Sequence, residues 1–359
     1  MCAPCMPCTD QLAERIFQST VHALELFSIY LGKKLGLYAA LRRHGPLTPR
    51  GLAAKAGIAP RYALEWLEQQ AVAGFLEVVP DGQTGELRSF VLPAANLAVL
   101  DDRDHPSHVA PFAQMIASIG SVLPEVCDAW RVGGGVPYER YGEDFREGQG
   151  DINRPAFLVD LCTEWLPRIP GLHRELMERD GIRVADLACG QGWSTIALAD
   201  AYPRAQVTGF DLDAASIEDA RQRAEARDSR AEFRAIDGAD LAEHGPFDLV
   251  LLIEALHDMP RPAEVLAGIR RSMAPGGVLI LADERVAEDF TPKGDLLERM
   301  MYGWSLTHCL PVSMSEQPSR ALGTVLRPSV MQDLAREAGF GSCEILDIPN
   351  DLFRFYRLQ

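Results

Sequence analysis

The chain has 359 residues, of which 47% are hydrophobic, and its formal net charge is −16 at pH 7. The length favours two domains over one, and the acidic balance argues against nucleic-acid binding, which depends on Lys and Arg neutralising phosphates. No run of about 18 apolar residues occurs, so we expect no membrane span and no membrane partner. The eight scattered cysteines favour reduced thiols, and no signal peptide is recognisable, so we expect a cytoplasmic protein.

The first eight residues, MCAPCMPC, place Cys2, Cys5 and Cys8 at intervals of three. One interpretation is a tail that binds a soft metal or undergoes redox chemistry. The other is a disordered terminus interrupted by prolines. Three thiols without a clear fourth ligand are not a standard zinc pattern, so we favour a disordered, cysteine-bearing tail over residues 1–8.

Residues 9–100 have the pattern of a mainly α winged-helix domain. Residues 9–41 carry apolar side chains at helical spacing, in a stripe wide enough for two contact faces. Thr48 can cap a short helix that has Pro49 in its first turn. The elements expected after it are a longer helix, a strand, a turn and a second strand, at residues 60–74, 75–79, 81–85 and 87–92.

A winged helix can read DNA or hold two subunits together, and the charges favour the second role. Residues 1–100 contain nine Lys or Arg and eight Asp or Glu, so this part is close to neutral. The helix that would enter DNA carries Glu65 and Glu68 on its polar side, where they would oppose phosphates. We therefore predict a homodimer formed through this domain.

Residues 101–175 look like a helical connector with a lid. A helix is expected over 109–122, with Pro124 after its end, and the loop GGGVPYERYGEDF follows at residues 133–145. Tyr138 and Tyr141 in this loop could present aromatic faces to a cationic ligand, since cations are attracted to such faces. The alternative is a solvent-exposed loop whose tyrosines pack on the core.

The stretch RVADLACGQGWSTIALADAYP predicts a strand, a tight turn and a helix. Gly190 and Gly192 allow the backbone to turn and to approach a ligand closely, directly after a strand that contains Asp186. The next strand ends in Asp211, at the spacing of about twenty residues from which a carboxylate grips ribose hydroxyls in a βαβ nucleotide site. A dinucleotide pattern needs a third glycine where this chain has Thr195.

DLACGQGW and GFDLD together resemble the class I S-adenosylmethionine-dependent methyltransferases. In that family the glycine turn holds the methionine part of the cofactor, the acid after it holds the ribose, and a later acid contacts the adenine. The resemblance implies S-adenosylmethionine as the cofactor. It implies these cofactor-binding residues: Asp186, Ala188, Gly190, Gly192, Asp211, Leu212, Asp237, Gly238 and Glu254.

Residues 176–359 alternate strands and helices, which is typical of the α/β class. The further strands are expected at 231–236, 247–253, 278–282, 343–348 and 352–358. The strand FDLVLLI is apolar throughout, as expected for a strand buried on both faces. The pattern predicts a Rossmann-like doubly wound methyltransferase sheet that binds its ligands at the carboxyl ends of the strands.

The segment EALHDMP follows that apolar strand and supplies the candidate catalytic residues, His257 and Asp258. An imidazole pKa of about 6.5 suits a general base near neutral pH. The His-Asp pair resembles the HDW motif of small-molecule O-methyltransferases, whose histidine is the base. Met259 replaces the tryptophan here, and the acids that assist the base in that family have no clear match downstream. Alternatively, His257 begins a helix and only shapes the pocket.

A second cluster, ERMMYGWSLTHCLP at residues 298–311, lies where that family places a helix over the acceptor. Trp304 and His308 are expected to line the substrate pocket with Tyr138 and Tyr141, and His308 is a possible second base. The alternative is a core helix with a satisfied histidine. The spacing of His257, His308 and Cys309 carries no metal signature, so we predict no metal.

The sequence therefore predicts a methyltransferase with an N-terminal winged-helix dimerisation domain and a C-terminal catalytic domain. The acceptor is expected to be a small molecule, methylated at a hydroxyl; methylation at nitrogen, sulfur or carbon stays open. The alternative function is a winged-helix transcriptional regulator that senses a small ligand or S-adenosylmethionine.

Overall fold

The computed structural model describes residues 9–80 and 82–359. The chain divides into two compact units, one ending at Ala117 and the other spanning Ser118–Gln359. The division falls within the helix Pro111–Val132. The tail with Cys2, Cys5 and Cys8 lies outside the described residues. No helix in the described ranges is both long enough and apolar enough to cross a bilayer.

The first unit is mainly helical. Its helices are α1 (Thr9–Lys34), α2 (Leu37–His44), α3 (Pro49–Ala56), α4 (Pro60–Val72) and α5 (Ala94–Leu100), and α6 (Pro111–Val132) begins within it. Two short strands, β1 (Glu77–Val78) and β2 (Phe90–Val91), pair in antiparallel orientation. The elements after α2 follow the predicted order.

Residues 9–41 are helical as expected, but they form two helices. Gly36 adopts a φ of 66° and separates α1 from α2, because a left-handed residue cannot continue a right-handed helix. The expected end of the helix at 109–122 is wrong, since Pro124 lies inside α6. An internal proline costs about 3 kcal/mol, and the buried Val122 and Val126 on both sides of it offset this cost.

The second unit is built on a seven-stranded sheet with the order β5-β4-β3-β6-β7-β9-β8. The strands are β3 (Arg183–Leu187), β4 (Gln206–Asp211), β5 (Glu232–Ala235), β6 (Phe247–Ile253), β7 (Met273–Glu284), β8 (Cys343–Leu346) and β9 (Phe353–Leu358). Neighbouring strands from β5 to β7 are parallel, and β9 is antiparallel to both β7 and β8. The predicted α/β fold, with its Rossmann-like sheet and helical N-terminal region, is confirmed.

Helices accompany the sheet in the second unit. They are α7 (Gly142–Pro155), α8 (Leu172–Glu178), α9 (Trp193–Ala201), α10 (Ala214–Ala226), α11 (Pro262–Ser272), α12 (Leu296–Trp304), α13 (Leu310–Ser313) and α14 (Pro328–Glu337). The π-helical segments Ala156–Trp165 and Ser305–Cys309 continue α7 and α12.

Strand β6 shows how the sheet is held. Leu249 and Leu251 belong to one apolar core, whereas Val250 and Leu252 belong to another. Side chains alternate between the faces of a strand, so each face of the sheet packs against its own layer of helices. The carboxyl ends of the parallel strands consequently share one edge, where Asp211 ends β4 and Glu254 follows β6.

Two predicted irregular segments are more regular than expected. Strand β7 begins at Met273, which pairs with Phe247, so the turn expected at 274–277 lies within the strand as an irregularity. The predicted lid at 133–145 contains a 3₁₀ turn, Tyr138–Tyr141, and the start of α7. A Cβ on Gly135 would lie 2.2 Å from the Pro311 carbonyl oxygen. This glycine therefore permits close backbone packing, which differs from the mobile lid that we expected.

Candidate active site

The glycine turn joins β3 to α9 and has the geometry of a ligand-binding loop. Ala188, Gly190 and Gly192 have φ values of 56°, 51° and 82°, in the left-handed region that favours glycine. A Cβ on Gly192 would also lie 2.6 Å from the Phe233 ring. Gly192 is thus required both by its backbone conformation and by packing.

Asp186 lies behind this turn and secures the start of α9. Its carboxylate accepts hydrogen bonds from the hydroxyls of Ser194 and Thr195, each at 2.6 Å. Burial raises the pKa of Asp186 to about 6, although both hydroxyls lower it. Thr195, which stands where a dinucleotide site has glycine, therefore has a structural partner within the turn.

Asp211 connects the end of β4 to the same turn. Its two carboxylate oxygens accept hydrogen bonds from the backbone N–H groups of Gly190 and Asp213, both at 2.8 Å. Burial raises the pKa of Asp211 to about 6, against the lowering effect of these two donors. Asp211 thus fixes the position of the glycine turn, and it lies at the strand end where a ribose-binding acid is expected.

A cavity of about 80 Å³ opens above the glycine turn, which is smaller than ordinary small-molecule sites. Four of the predicted cofactor-binding residues line it: Asp186, Ala188, Gly190 and Glu254. The other five predicted residues do not line it: Gly192, Asp211, Leu212, Asp237 and Gly238.

Those five residues surround the turn and the next strand ends. The Leu212 side chain is 68% exposed. Asp237 accepts a hydrogen bond from the backbone N–H of Ala239 at 2.9 Å and lies 3.8 Å from Arg261. Their assignment to the cofactor therefore stays a prediction, which rests on their places at the strand ends.

One wall of the cavity comes from α7. The sequence interpretation placed its first residues in the lid loop at 133–145 and the rest in the helical connector, and it predicted no site residue within α7. Arg146, Gln149 and Asn153 line the cavity, since residues three and four apart share a helix face. The Arg146 guanidinium lies 3.2 Å from the Asp219 carboxylate, and the Asn153 amide donates a hydrogen bond of 2.5 Å to Glu254. The helical spacing of these polar residues was the feature of the sequence that could have identified this wall.

The cavity also has buried polar atoms that lack partners. Gln191 Oε1 and Trp193 Nε1 have no hydrogen-bond partner among the described residues, and both side chains border the cavity. Buried polar groups are normally satisfied, so these atoms point to a polar ligand. The same lining holds the acids Asp186 and Glu254 and the cation Arg146, so it fits a ligand with polar and charged groups.

His257 follows β6 in a short 3₁₀ turn and is almost completely buried. Its Nδ1 lies 2.8 Å from an Asp283 oxygen and 3.1 Å from a Glu284 oxygen, and its Nε2 lies 3.4 Å from Asp258. Asp283 therefore makes the short contact to Nδ1, whereas the predicted catalytic residue Asp258 lies near Nε2.

Asp283 and Glu284 are the acids for which the sequence interpretation found no match. They end β7, whose Ala282 pairs with Ile253 of β6, so the two strand ends lie side by side. An acidic pair directly after the apolar run VLILA was a usable signal. Asp211 was identified in this way, as an acid at the end of a predicted strand.

The carboxylates around His257 change the pKa of its imidazole. Burial lowers the pKa of His257, but the carboxylates of Asp283, Glu284 and Asp258 together raise it well above its ordinary value. Burial raises the pKa of Glu284 well above its usual range, whereas the pKa of Asp283 is lowered by His257 despite its burial. The shortest contact in this buried group joins the His257 ring to the Asp283 carboxylate, and it favours the charged form of both.

His308 lies in an aromatic cluster beside this group. Its ring stacks on Phe145 at 4.1 Å between centroids and meets Tyr141 edge-on at 4.5 Å and Tyr138 at 5.9 Å. Burial lowers the pKa of His308 to about 4, so this ring is neutral. Tyr138 also lines the cavity, and Trp304 is half-buried at the end of α12.

Two groups of side chains could in geometry hold a metal ion. His257, Asp258 and Cys309 form one, and His257, Asp283 and Glu284 form the other, with ligand atoms within 4.8 Å of one another. His257 belongs to both groups, and its Nδ1 already lies 2.8 Å from the Asp283 carboxylate. The absence of a metal stays a prediction, which rests on the spacing of these residues in the sequence.

Comparison with known proteins supports the interpretation of the second unit as a methyltransferase domain. Residues 178–321 match a family described as a methyltransferase domain. A trans-aconitate 2-methyltransferase of Streptomyces coelicolor is 36% identical over 33% of the chain and 38% of its own length. A 27-O-demethylrifamycin SV methyltransferase of Amycolatopsis mediterranei is 33% identical over 40% of the chain and 52% of its own length. The chain thus covers about half or less of these relatives.

Solved structures match the whole chain at low identity. Human N-acetylserotonin methyltransferase, in complex with SAM, superposes with a TM-score of 0.71 at 18% identity and covers 99% of both chains. An O-methyltransferase family protein from Burkholderia thailandensis superposes with a TM-score of 0.68 at 18% identity, over 100% of this chain and 98% of its own. These likenesses show the fold. The family match over residues 178–321 identifies this protein as one that carries a methyltransferase domain.

Proposed function

We propose that this protein transfers the methyl group of S-adenosylmethionine to a hydroxyl of a small molecule, with His257 as general base. The observation that carries the proposal is the Asp283–His257 contact of 2.8 Å at the strand edge that also holds the glycine turn. The bound cofactor supplies an electrophilic methyl on a positively charged sulfur, which accepts the electron pair of the broken S–CH₃ bond. His257 Nε2 removes the acceptor's hydroxyl proton as the O–CH₃ bond forms.

Asp283 supports this role through the other ring nitrogen. A carboxylate at Nδ1 keeps the proton on that nitrogen, so the lone pair of a neutral ring is on Nε2. The same carboxylate stabilises the imidazolium that forms when the acceptor is deprotonated. The enzyme contributes position as well, since an acceptor held in line with the methyl reacts far faster than one free in solution.

The aromatic cluster of Tyr138, Tyr141, Phe145 and His308 is the proposed acceptor wall. His308 Nε2 is buried and has no hydrogen-bond partner among the described residues. Because this imidazole is neutral, it can donate to or accept from an acceptor hydroxyl. Trp304 would extend the same wall, and its exposure leaves room for a bulky acceptor.

The acceptor can be identified through the product that it forms. Extracts of the host are incubated with the protein and isotopically labelled S-adenosylmethionine, and the products are analysed by mass spectrometry. We expect a labelled small molecule with its new methyl on oxygen. A label on nitrogen, sulfur or carbon would contradict the hydroxyl assignment, and the absence of any labelled product would contradict the proposed activity.

Asp211→Ala should weaken S-adenosylmethionine and S-adenosylhomocysteine together, because both carry the ribose. Loss of a hydrogen bond to a charged group costs about 1.5–3 kcal/mol, which is more than tenfold in affinity, and the turn also loses its bond from Gly190. Isothermal titration calorimetry measures both ligands. Glu225→Ala, on the exposed side of α10, is the control and should bind normally. Undiminished binding by Asp211→Ala would contradict the ribose assignment.

We further propose that the N-terminal winged helix forms a homodimer through α1. Its apolar side chains are open to solvent in the single chain, with Ile16, Phe17 and Leu24 exposed by 59%, 65% and 62%. Contiguous apolar surface of this kind marks an interaction site. Two copies of a near-neutral helix can bury such a face against each other without opposing charges.

Phe17→Glu should weaken this dimer by at least tenfold, because it would bury an unpaired carboxylate in an apolar contact. Sedimentation velocity over a range of concentrations measures the change, with Glu14→Gln on the same helix as the control. A monomeric unmodified protein would contradict the proposal. A salt-sensitive, sequence-specific complex with duplex DNA would instead favour the regulator interpretation.

A further inference from the structure

Glu254 occupies a special position at the edge of the sheet. It is the first residue after β6, and the register between Leu187 and Leu252 places it beside the glycine turn after β3. Its φ is 55°, a conformation that non-glycine residues rarely adopt and that clusters at functional sites. Its backbone N–H donates to the Ala282 carbonyl at 2.8 Å, which holds the residue between the two neighbouring strands.

The surroundings of the Glu254 carboxylate are polar but mostly uncharged. Asn153 donates to it at 2.5 Å, and Gln149 of the same helix also donates to it. The charged groups that act on it most are the His257 imidazole after β6 and the Asp283 carboxylate at the end of β7, and Arg146 and Asp186 line the same cavity. In the described part of the chain, Glu254 forms no ion pair with Lys, Arg or His.

The cavity therefore contains an acid that lacks a cationic partner of its own. Burial raises the pKa of Glu254 to about 7, although Asn153, His257 and Gln149 lower it. At neutral pH the carboxyl group is thus close to half protonated. A cation placed against it would favour its ionised form and would displace the proton.

Which cation faces Glu254 depends on where the cofactor lies, and that placement rests on the proposed function. On the proposed function, Asp211 would hold the ribose at the end of β4, and the methyl would point towards His257 after β6. The sulfur would then lie between these two residues. Glu254 lines the cavity and also interacts with His257, so its carboxylate stands beside the path between them.

We propose that the Glu254 carboxylate recognises the sulfonium charge of S-adenosylmethionine and thereby distinguishes it from S-adenosylhomocysteine. The two ligands share the adenine, the ribose and the amino-acid group, and they differ in the methyl group and the positive charge on sulfur. A carboxylate directed at the sulfur would stabilise bound S-adenosylmethionine. It would lose its positively charged partner once the methyl group has been transferred. This would assist release of the product cofactor.

Calorimetric titration of both ligands into the purified full-length chain tests this proposal. Glu254→Gln keeps an acceptor for Asn153 but removes the charge, so S-adenosylmethionine should bind about tenfold more weakly and S-adenosylhomocysteine within about twofold of normal. Asp211→Asn is the matched control and should weaken both ligands alike. Equal weakening of both ligands by Glu254→Gln would overturn the proposal and assign Glu254 to the shared amino group.

Proton release gives a second measurement that the unmodified protein provides by itself. Titrations at pH 7 in buffers of different ionisation enthalpy should show S-adenosylmethionine releasing about half a proton more than S-adenosylhomocysteine does, since Glu254 is close to half protonated. Affinity for S-adenosylmethionine should fall as the pH drops below 7, where the carboxyl group becomes neutral. Equal release by the two ligands would overturn the proposal.

His257 is the other titratable group that could release a proton to a cation, and the variants separate the two sources. Release that persists in Glu254→Gln would come from His257 and would overturn the proposal. Glu254→Asp, which keeps the charge, should restore most of the discrimination, and thermal melting checks that each variant folds. Binding needs no acceptor, so binding without any methylated product would count against the proposed function alone.

Discussion

Replacement of His257 by alanine is expected to lower turnover by about 10²–10⁴-fold while cofactor affinity stays nearly unchanged. The imidazole is placed to remove the acceptor proton, which is a step of the reaction and not of cofactor binding. Steady-state kinetics with the acceptor found by isotope labelling gives kcat, and calorimetry gives the affinity for S-adenosylmethionine. Retention of most of the activity would mean that position alone drives the transfer, as it can for an acceptor that is already deprotonated.

The pH dependence of the unmodified enzyme follows from the carboxylates around His257. They raise its pKa well above the ordinary value against the effect of burial, and a base must be neutral to act. Turnover should therefore rise with pH and reach its plateau above the ordinary pKa of about 6.5. In the His257→Ala variant, turnover should no longer rise with pH. A rise that persists in the variant would assign the titration to another group.

Asp283→Asn is expected to lower the plateau of turnover by roughly 10²-fold, because the ring loses the charge that holds its Nδ1 proton and stabilises the imidazolium. The same change removes the nearest carboxylate, so the pKa of His257 should fall and the rising limb should move to lower pH. A pH–rate profile of the variant measures both effects. A merely structural role for Asp283 would lower stability without moving the limb.

Two matched variants sharpen this test. Asp258→Asn alters the acid near Nε2, 3.4 Å away, and should lower turnover less than His257→Ala does. Asp333→Asn, on the exposed surface of α14, should leave both the rate and the limb unchanged. If Asp258→Asn lowers turnover more than Asp283→Asn, the ring is oriented by Asp258 from the Nε2 side.

The local parts of the site were predictable because each lies within one short segment. Gly190 and Gly192 adopt left-handed backbone conformations, which glycine takes up more readily than other residues, so the residue type by itself indicated the turn. Asp211 and Glu254 end apolar strands, and parallel strands bring their carboxyl ends to one edge. Strand β4 ends at Asp211 as predicted, since an acid that closes an apolar run marks the end of a buried strand.

The sequence by itself thus determined the α/β fold and the cofactor turn, and it marked His257 at a strand end. Only the tertiary structure decided which acids face that ring, because β7 joins β6 through a separate helix, and the contact between Asp283 and His257 spans 26 positions. It also placed the α7 face against the cavity and Phe145 against His308. Contacts of this kind depend on strand order and on packing between distant segments, which residue type and spacing within one segment do not specify.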